Sequence, residues 1–450
     1  IHDRMSSGES GIDTVPEERT AGAGEGGAPT LLIGSFALGP GRTVRLAGSP
    51  TIGRGHPAGD GGRERIDLAD RLLSRRHLRF VRRQGGYSVE DLGSLNGSYL
   101  DGLRLEKPTP LSEGSILLLG HHAGVFRRVS PPALAALVED AGSPFGPVPT
   151  LSPALALTLA KLRRLARTDQ EILLVGESGV GKAAYARAIH RASGRPGAFV
   201  VLDGAALPGW LIENMLFGAA TDAPPAGGQQ PAGLIEAAEG GTLLLSEIGE
   251  LPPKLASRLS GFVRDRLFLP LGSTSLRRAD VRILATAGRH AGPERTPGWQ
   301  SDLLAGLGVE PIHILPLRER PEDIGALAAH FAAGAVTGLE PAAFRALTLY
   351  SWPLNLFEMG KAVKHALALS PDGKVGLAHL PATVGRARER GVPVTLRRRP
   401  RPAPPRAELE HLLRQHHGNV SGVARSLDRK WAVVWRWIGR HRLHPDQFRP

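Results

Sequence analysis

Cysteine is absent from the chain, which excludes disulfides and any thiolate metal site. No apolar run approaches the ~20 residues that a membrane helix needs, so no membrane partner is expected. Ile1 to Thr30 hold Gly, Ser and acid but no apolar segment of the kind a secretory signal carries. A cytoplasmic protein is the expectation, with Met5 a candidate start. Acid is in deficit: 56 Lys and Arg stand against 43 Asp and Glu, a net charge of +13. An excess of that size suits a polyanionic partner, nucleic acid first. An arginine-rich composition also follows from a GC-rich genome, so where the charge sits has to decide.

What is present is ordinary globular material, 41% hydrophobic and 22% charged, long enough for two or three domains. Residues 1–29 read as a disordered tail. Residues 30–130 hold short β-like runs (Val44–Leu46, Leu78–Val81, Tyr87–Val89, Ile116–Leu119) parted by Gly, Asn and Asp turns, a spacing that predicts a β-sandwich. Residues 131–149, rich in Pro, Ala and Gly, read as a linker. From 150 to 384 apolar strands alternate with helical stretches, the pattern of an α/β domain on a parallel sheet. Residues 385–405 form a second linker, stiff and charged at Arg397–Pro402, and 406–450 read as short helices.

The β-rich segment carries Gly53-Arg54, then Ser74-Arg75-Arg76-His77, then Asp91-Leu92-Gly93-Ser94-Leu95-Asn96-Gly97-Ser98. In order and spacing this resembles the forkhead-associated (FHA) domain over about residues 30–130. A phosphothreonine brings close to two negative charges and three acceptor oxygens. Arg54 and Arg75 would supply charge-assisted hydrogen bonds and Ser74 a hydroxyl donor, all from loops at one end of a rigid sandwich. The resemblance implies that Asn96 contacts the peptide backbone beside the phosphothreonine, and that His77 braces the loop. Asn96-Gly97 also reads simply as a tight turn, and the sandwich as one kept for packing alone.

Further along, Glu171–Val175 reads as a buried strand. It leads into Gly176-Glu177-Ser178-Gly179-Val180-Gly181-Lys182 and a helix through Ile189. That context makes a phosphate-binding loop: backbone N–H groups and the helix N-terminus cradle phosphate, and Lys182 reaches the outer oxygens. Then come Leu216-Phe217-Gly218, Gly240–Pro252, Pro316–Ile324 and Trp352–Asn355. In this order they resemble the AAA+ domain of bacterial enhancer-binding proteins, the activators of sigma-54 RNA polymerase, over about residues 150–384. The resemblance implies a helical subdomain, and ATP or ADP held by Gly176, Glu177, Ser178, Gly179, Val180, Gly181, Lys182 and Ala183.

The departures from that family run one way. Glu usually follows the loop lysine; Ala183 stands here. The second nucleotide motif usually ends Asp-Glu, the Asp holding magnesium; here it is Ser246-Glu247, and a hydroxyl is a weak substitute for a carboxylate on a hard cation. The sensor asparagine aligns with Gly288, two arginine fingers with Gln300 and Gly306, and the second sensor arginine with Phe357. The loop that contacts sigma-54 reads Asp222–Gly227, with Pro224-Pro225 at its tip. Hydrolysis, Mg2+ binding and sigma-54 contact are therefore not expected. No catalytic residue is assigned beyond Glu247 as a vestigial candidate, which also reads as a solvent-facing strand end. No metal ligand is assigned.

Gly418–Leu427 resembles the start of the Fis-type helix-turn-helix that closes these activators, with Asn419 as N-cap. Val420, Val423, Ala424 and Leu427 form an apolar face. A recognition helix would follow from Lys430 to Arg440, and Arg429, Lys430, Trp431, Arg436 and Arg440 are the candidates for DNA contact. The competing reading is a basic helical tail that only packs.

The sequence thus predicts a multidomain protein: an all-β FHA sandwich, an α/β AAA+ P-loop domain with a helical subdomain, and an all-α helix-turn-helix. The expected function is DNA-binding transcription regulation that reads phosphothreonine, with an AAA+ core impaired in hydrolysis. Its expected partners are double-stranded DNA and a phosphothreonine protein with its Ser/Thr kinase, with RNA polymerase a candidate and sigma-54 not favoured. A homo-oligomer is expected. The alternatives are an active, ATP-hydrolysing sigma-54-dependent activator, and a phosphoprotein-docking adaptor that does not read DNA.

Overall fold

The short β-like runs between residues 28 and 129 form two facing sheets, as the sequence predicts. In the computed structural model the described residues are 27–35, 41–55, 65–84, 86–204, 208–218, 233–289, 303, 307, 310–388, 406–416, 418–426, 434–435, 438, 441, 443 and 445–448. They fall in two compact units, Ile1–Val392 and Pro393–Pro450.

One sheet of the sandwich has the order β2-β1-β11-β10-β7-β8 and the other β4-β3-β5-β6-β9. The strands are β1 (Ala28–Ser35), β2 (Arg42–Arg45), β3 (Thr51–Gly53), β4 (Arg65–Asp67), β5 (Leu78–Arg83), β6 (Gly86–Asp91), β7 (Tyr99–Leu100), β8 (Leu103–Arg104), β9 (Thr109–Pro110), β10 (Ile116–Leu119) and β11 (His122–Val129). Leu31, Ile52, Leu78, Phe80, Val89, Leu117 and Phe126 fill the space between the sheets.

Strand β10 departs from simple alternation: all four of its residues are buried. Side chains along a strand point to opposite faces. Leu117 and Leu119 enter the sandwich core, while Ile116 and Leu118, with Ala123 and Val125 of β11, enter a second core with Leu317, Ile324, Leu327, Phe344 and Trp352. The outer face of the sandwich is therefore packed against the helical part of the α/β region.

The stretch after the sandwich is a packed brace. Helix α1 (Pro131–Gly142) starts with proline in its first turn, where the missing N–H costs nothing. Ala133, Ala136 and Leu137 pack on Leu32, Val129 and Ala156. Asp140, fully buried, accepts from the backbone N–H of Phe145 (3.1 Å) and Thr150 (2.8 Å). Ala-rich helix and loose spacer have similar compositions, so composition alone read a linker here.

Helix α2 (Pro153–Ala166) precedes an all-parallel sheet of order β13-β14-β17-β12-β18. Its strands are β12 (Ile172–Val175), β13 (Phe199–Asp203), β14 (Thr242–Ser246), β17 (Arg282–Ala287) and β18 (Ile312–His313); β15 (Leu267–Phe268) and β16 (Arg277–Arg278) pair separately. β12 and β17 are buried throughout, as strands covered on both faces must be. Helix α3 (Lys182–Ser193) follows β12. The loops after β12, β14 and β17 gather at the carboxyl edge of the sheet, where open α/β folds bind ligands. Helices Ile324–Ala332, Pro341–Leu349 and Asn355–Ala368 form the helical subdomain around the fully buried Trp352.

In the second unit, helices Arg406–Gln415 and Val420–Ser426 share a core of Leu409, Leu413, Val420, Val423, Val434 and Ile438. Asn419 Oδ1 accepts from the Gly422 N–H at 3.1 Å, the contact of an N-cap.

Candidate functional site

The phosphate loop grows out of β12, whose burial fixes the loop's origin. Gly179 and Gly181 have φ of +75° and +100°, and a Cβ on Gly179 would lie 2.1 Å from the Leu354 carbonyl oxygen. Glycine is required there both for conformation and for close approach. Lys182, at the head of α3, is only 7% exposed; its Nζ lies 2.9 Å from Glu247 Oε1 and donates to the carbonyls of Gly176 (2.9 Å) and Glu177 (3.3 Å). Glu247 is thus no free strand end. It has φ +51°, and its N–H donates to Thr286 Oγ1 at 3.0 Å, a contact that holds it facing the lysine.

Three residues that the sequence reading had not assigned converge on Glu177. Arg318 meets both of its carboxylate oxygens (2.6 and 2.5 Å), Arg289 meets Oε1 at 2.7 Å, and Asn355 Nδ2 lies 3.4 Å from Oε2. Hydrogen bonding from Arg318, then from Arg289, holds the Glu177 carboxyl at about 2 against its ordinary 4.5. Asn355, itself at φ +51°, donates to the Ser178 carbonyl (2.9 Å) and accepts from the Leu317 N–H (2.8 Å). Arg318 and Asn355 lie inside motifs flagged in the sequence; only the fold shows that both reach position 177.

The positions aligned with sensors do surround this loop. A Cβ on Gly288 would come within 4.0 Å of Glu247 Oε2, and the Phe357 Cβ lies 3.3 Å from where a Gly179 Cβ would be. Neither offers a charge: Gly288 has no side chain, and Phe357 presents a 58% exposed ring with Lys361 Nζ 4.2 Å from its centroid. Gln300, Gly306 and Asp222–Gly227 lie outside the described residues.

The chemistry present suits phosphate better than its metal. Loop amides, a helix N-terminus and Lys182 are the parts that hold a polyphosphate. A hard divalent cation wants oxygen ligands, but the two nearby carboxylates, Glu177 and Glu247, are already paired with cations. Ala183 has no donor and Ser246 only a hydroxyl. Among the described residues no group of three His, Cys, Asp or Glu could hold a metal. The residues here do not fit Mg2+.

At one end of the sandwich a second constellation forms. Arg54, Arg75 and Asn96 are exposed and Ser74 half-buried, on three neighbouring loops. Arg54 N–H donates to the Ser74 carbonyl (3.1 Å), Ser74 Oγ accepts from Leu95 N–H (3.2 Å), and Asn96 Nδ2 donates to the Leu72 carbonyl (2.7 Å). His77 is fully buried, and its Nδ1 accepts from the Ser74 N–H at 3.0 Å; burial pushes its pKa down. A Cβ on Gly53 would meet the Arg75 carbonyl oxygen at 2.0 Å, so this glycine lets the first two loops touch. Arg65, which sequence reasoning missed, donates to the carbonyls of Gly55 and Arg75 and ties the same loops from behind. Its strand position gave no sign of this.

The five candidates for DNA contact, Arg429, Lys430, Trp431, Arg436 and Arg440, lie outside the described residues.

Comparison with known proteins agrees with this layout. Residues 51–120 match the FHA domain, 149–311 the sigma-54 interaction domain, and 318–395 the AAA+ ATPase lid domain. The alginate biosynthesis transcriptional regulatory protein AlgB of Pseudomonas putida is 38% identical over 256 residues, 55% of this chain and 57% of that protein. The Nif-specific regulatory protein of Klebsiella pneumoniae is 37% identical over 233 residues, 50% and 44% of the two. The chain thus spans about half the length of the curated relatives it matches. The crystal structure of NtrX from Brucella abortus in complex with ATP superposes with a TM-score of 0.47 at 26% identity, over 65% of this chain and 68% of that one. The chain carries an FHA domain, a sigma-54 interaction domain and an AAA+ lid.

Proposed function

We propose that this union of an FHA domain with a sigma-54 interaction domain and an AAA+ lid works as a cytoplasmic, DNA-binding transcription regulator. It reads phosphothreonine on a partner marked by a Ser/Thr kinase, through Arg54, Ser74, Arg75 and Asn96. Its AAA+ core takes ATP or ADP at Gly176–Ala183 without hydrolysing it at a useful rate. Control then passes through DNA occupancy or RNA polymerase, as a homo-oligomer, without driven remodelling of sigma-54. Arg429, Lys430, Trp431, Arg436 and Arg440 are the DNA contacts in this reading.

One observation carries the loss of turnover: around Lys182 and Glu247 stand Ser246, Gly288 and Phe357, where charge stabilisation of a transferring phosphoryl group would need an acid with its metal, an amide and a cation. Loss of one arginine finger alone costs ~10³–10⁵ in rate. Titrating ATP against the purified full chain while following phosphate release tests it. Binding without turnover is the expected result; turnover near that of an intact family member sinks the reading.

A second reading, an ATP-hydrolysing sigma-54-dependent activator, draws on the surviving Lys182–Glu247 pair and the match over 149–311. A sigma-54 promoter response in the same preparation would favour it. An adaptor without DNA binding would show no salt-sensitive binding to duplex DNA.

A further inference from the structure

The sandwich and the phosphate loop hold opposite sides of one short segment, Leu317–Asp323. On the sandwich side the contact is close and charged. Arg127 of β11 lies 3.3 Å from Glu322, which is fully buried, and donates to the Glu319 carbonyl at 3.4 Å. The backbones touch as well. A Cβ on Gly34 of β1 would lie 2.4 Å from the Glu322 carbonyl oxygen, and one on Gly325 about 3 Å from the Ser35 backbone. Asp323 accepts from Thr150 Oγ1 and the Leu151 N–H, both at 2.7 Å, which fixes the segment to the brace after α1.

On the other side the same few residues hold the phosphate loop. Arg318 grips Glu177, and Glu319 pairs with Arg289 (3.3 Å), which also pairs with Glu177 (2.7 Å). Leu317 N–H donates to Asn355 Oδ1, whose amide nitrogen holds the Ser178 carbonyl. The turn that starts β11 reaches back to the phosphopeptide loops. Asp70 Oδ2 accepts from the His121 N–H (2.9 Å), Asp70 Oδ1 from the Leu72 N–H (2.9 Å), and the Leu72 carbonyl takes the Asn96 amide (2.7 Å). Hydrogen bonds thus link Asn96 to Asp70 and His121, the backbone of β11 carries on to Arg127, and ion pairs and hydrogen bonds lead from there through 317–323 to Glu177.

We propose that segment 317–323 is a latch through which the sandwich sets the order of the phosphate loop, so that a phosphothreonine ligand at Asn96 and its neighbours acts on the nucleotide site. The ligand half rests on the phosphothreonine reading above; the latch itself does not. A packed interface of this kind transmits small shifts because it cannot deform continuously.

Amide hydrogen exchange on the full chain tests both halves without requiring nucleotide. The variants are Arg127→Ala and Arg127→Met, which keeps the length of the side chain without its charge, with Arg83→Ala at the exposed end of β5 as control and thermal melts to confirm folding. The expected result is exchange of the 176–182 amides about fivefold faster or more in both variants, the low end of ordinary coupling between sites, with Arg127→Lys partly restoring protection. Faster exchange confined to 120–130 and 317–323 would overturn the latch. A pool of synthetic phosphothreonine peptides of degenerate flanking sequence, against its unphosphorylated twin, tests the ligand half. Binding that changes protection at 176–182 in the wild type but not in Arg127→Ala supports it. Binding with no change there overturns it, and failure of the pool to bind defeats the phosphothreonine reading while the substitution arm still decides the latch.

Discussion

The two regions that we propose to meet phosphate differ in what their cations are doing. At the sandwich end Arg54 and Arg75 stand exposed, on loops whose backbone is already tied by Ser74, His77, Arg65 and Asn96. Around the phosphate loop Lys182, Arg289 and Arg318 are each held by one of the protein's own carboxylates, Glu247 or Glu177. A cation in solvent on a rigid loop loses little when phosphate arrives. One paired with a partly buried acid must exchange a strong partner for another, and the acid left behind bears the desolvation cost. The cations of the first region are open to solvent; those of the second hold the loop in place. This contrast supports the division of labour proposed here, signal reading by the sandwich and a structural or sensing role for the AAA+ core.

The comparison can be broken at either end. The largest effect is expected at the sandwich: Arg75→Ala should weaken phosphothreonine-peptide binding by ~10²-fold or more, as removal of one partner from a charge-assisted pair does, measured by calorimetry. Equal binding of phosphorylated and unphosphorylated peptide would count against the site. At the phosphate loop Asn355→Ala strips the partner from the buried Leu317 N–H and frees the Ser178 carbonyl. Unfolding in urea should show a loss of about 2–3 kcal/mol, and a change below 0.5 kcal/mol would contradict the role given to Asn355.

Glu322 of the latch and Glu177 of the phosphate loop shift in opposite directions, which sharpens the contrast. Burial, only partly offset by Arg127, raises Glu322 to about 6 from 4.5. Its folded pKa lies above the unfolded one, so the stability it contributes is full below pH 4.5 and lost as pH rises through about 6, a change of about 2 kcal/mol. Glu177, lowered to about 2, contributes stability above pH 4.5 that goes as pH falls through 2. Glu322→Gln should flatten the stability profile between pH 4.5 and 6 and leave the acid limb unchanged; a profile identical to wild type would show that Glu322 is not the titrating group. The smallest effect is expected from Ser246→Asp, which returns a carboxylate beside Glu247. Nucleotide affinity in that variant should become Mg2+-sensitive by about tenfold, a factor worth about 1.4 kcal/mol, whereas the wild type should respond little to chelator.

Much of the architecture was legible because its signals are local. The fully apolar run at 172–175, and the glycines at 179 and 181, each determine their own conformation. The FHA loops were legible because Arg54, Ser74, Arg75 and Asn96 lie within short motifs. What stayed hidden depends on distance in sequence. Nothing near Arg127 says that it will meet Glu322, and nothing near Glu177 says that Arg289, Arg318 and Asn355 will surround it. The four buried residues of β10 could be read as one strand of a sandwich core; that two of them serve a second core is a property of the packed unit. Residues 131–149 misled for another reason, since Pro at a helix start and a run of Ala are as common in a packed helix as in a spacer.

The central claim, that this AAA+ core has kept phosphate binding and lost turnover, is tested most directly by steady-state ATP hydrolysis on the full chain with Mg2+ present, beside an intact enhancer-binding protein at equal concentration. A rate at least ~10³-fold below the control is expected, the loss that follows once a single arginine finger is gone, with nucleotide still retained on equilibrium binding. A rate within tenfold of the control would contradict it.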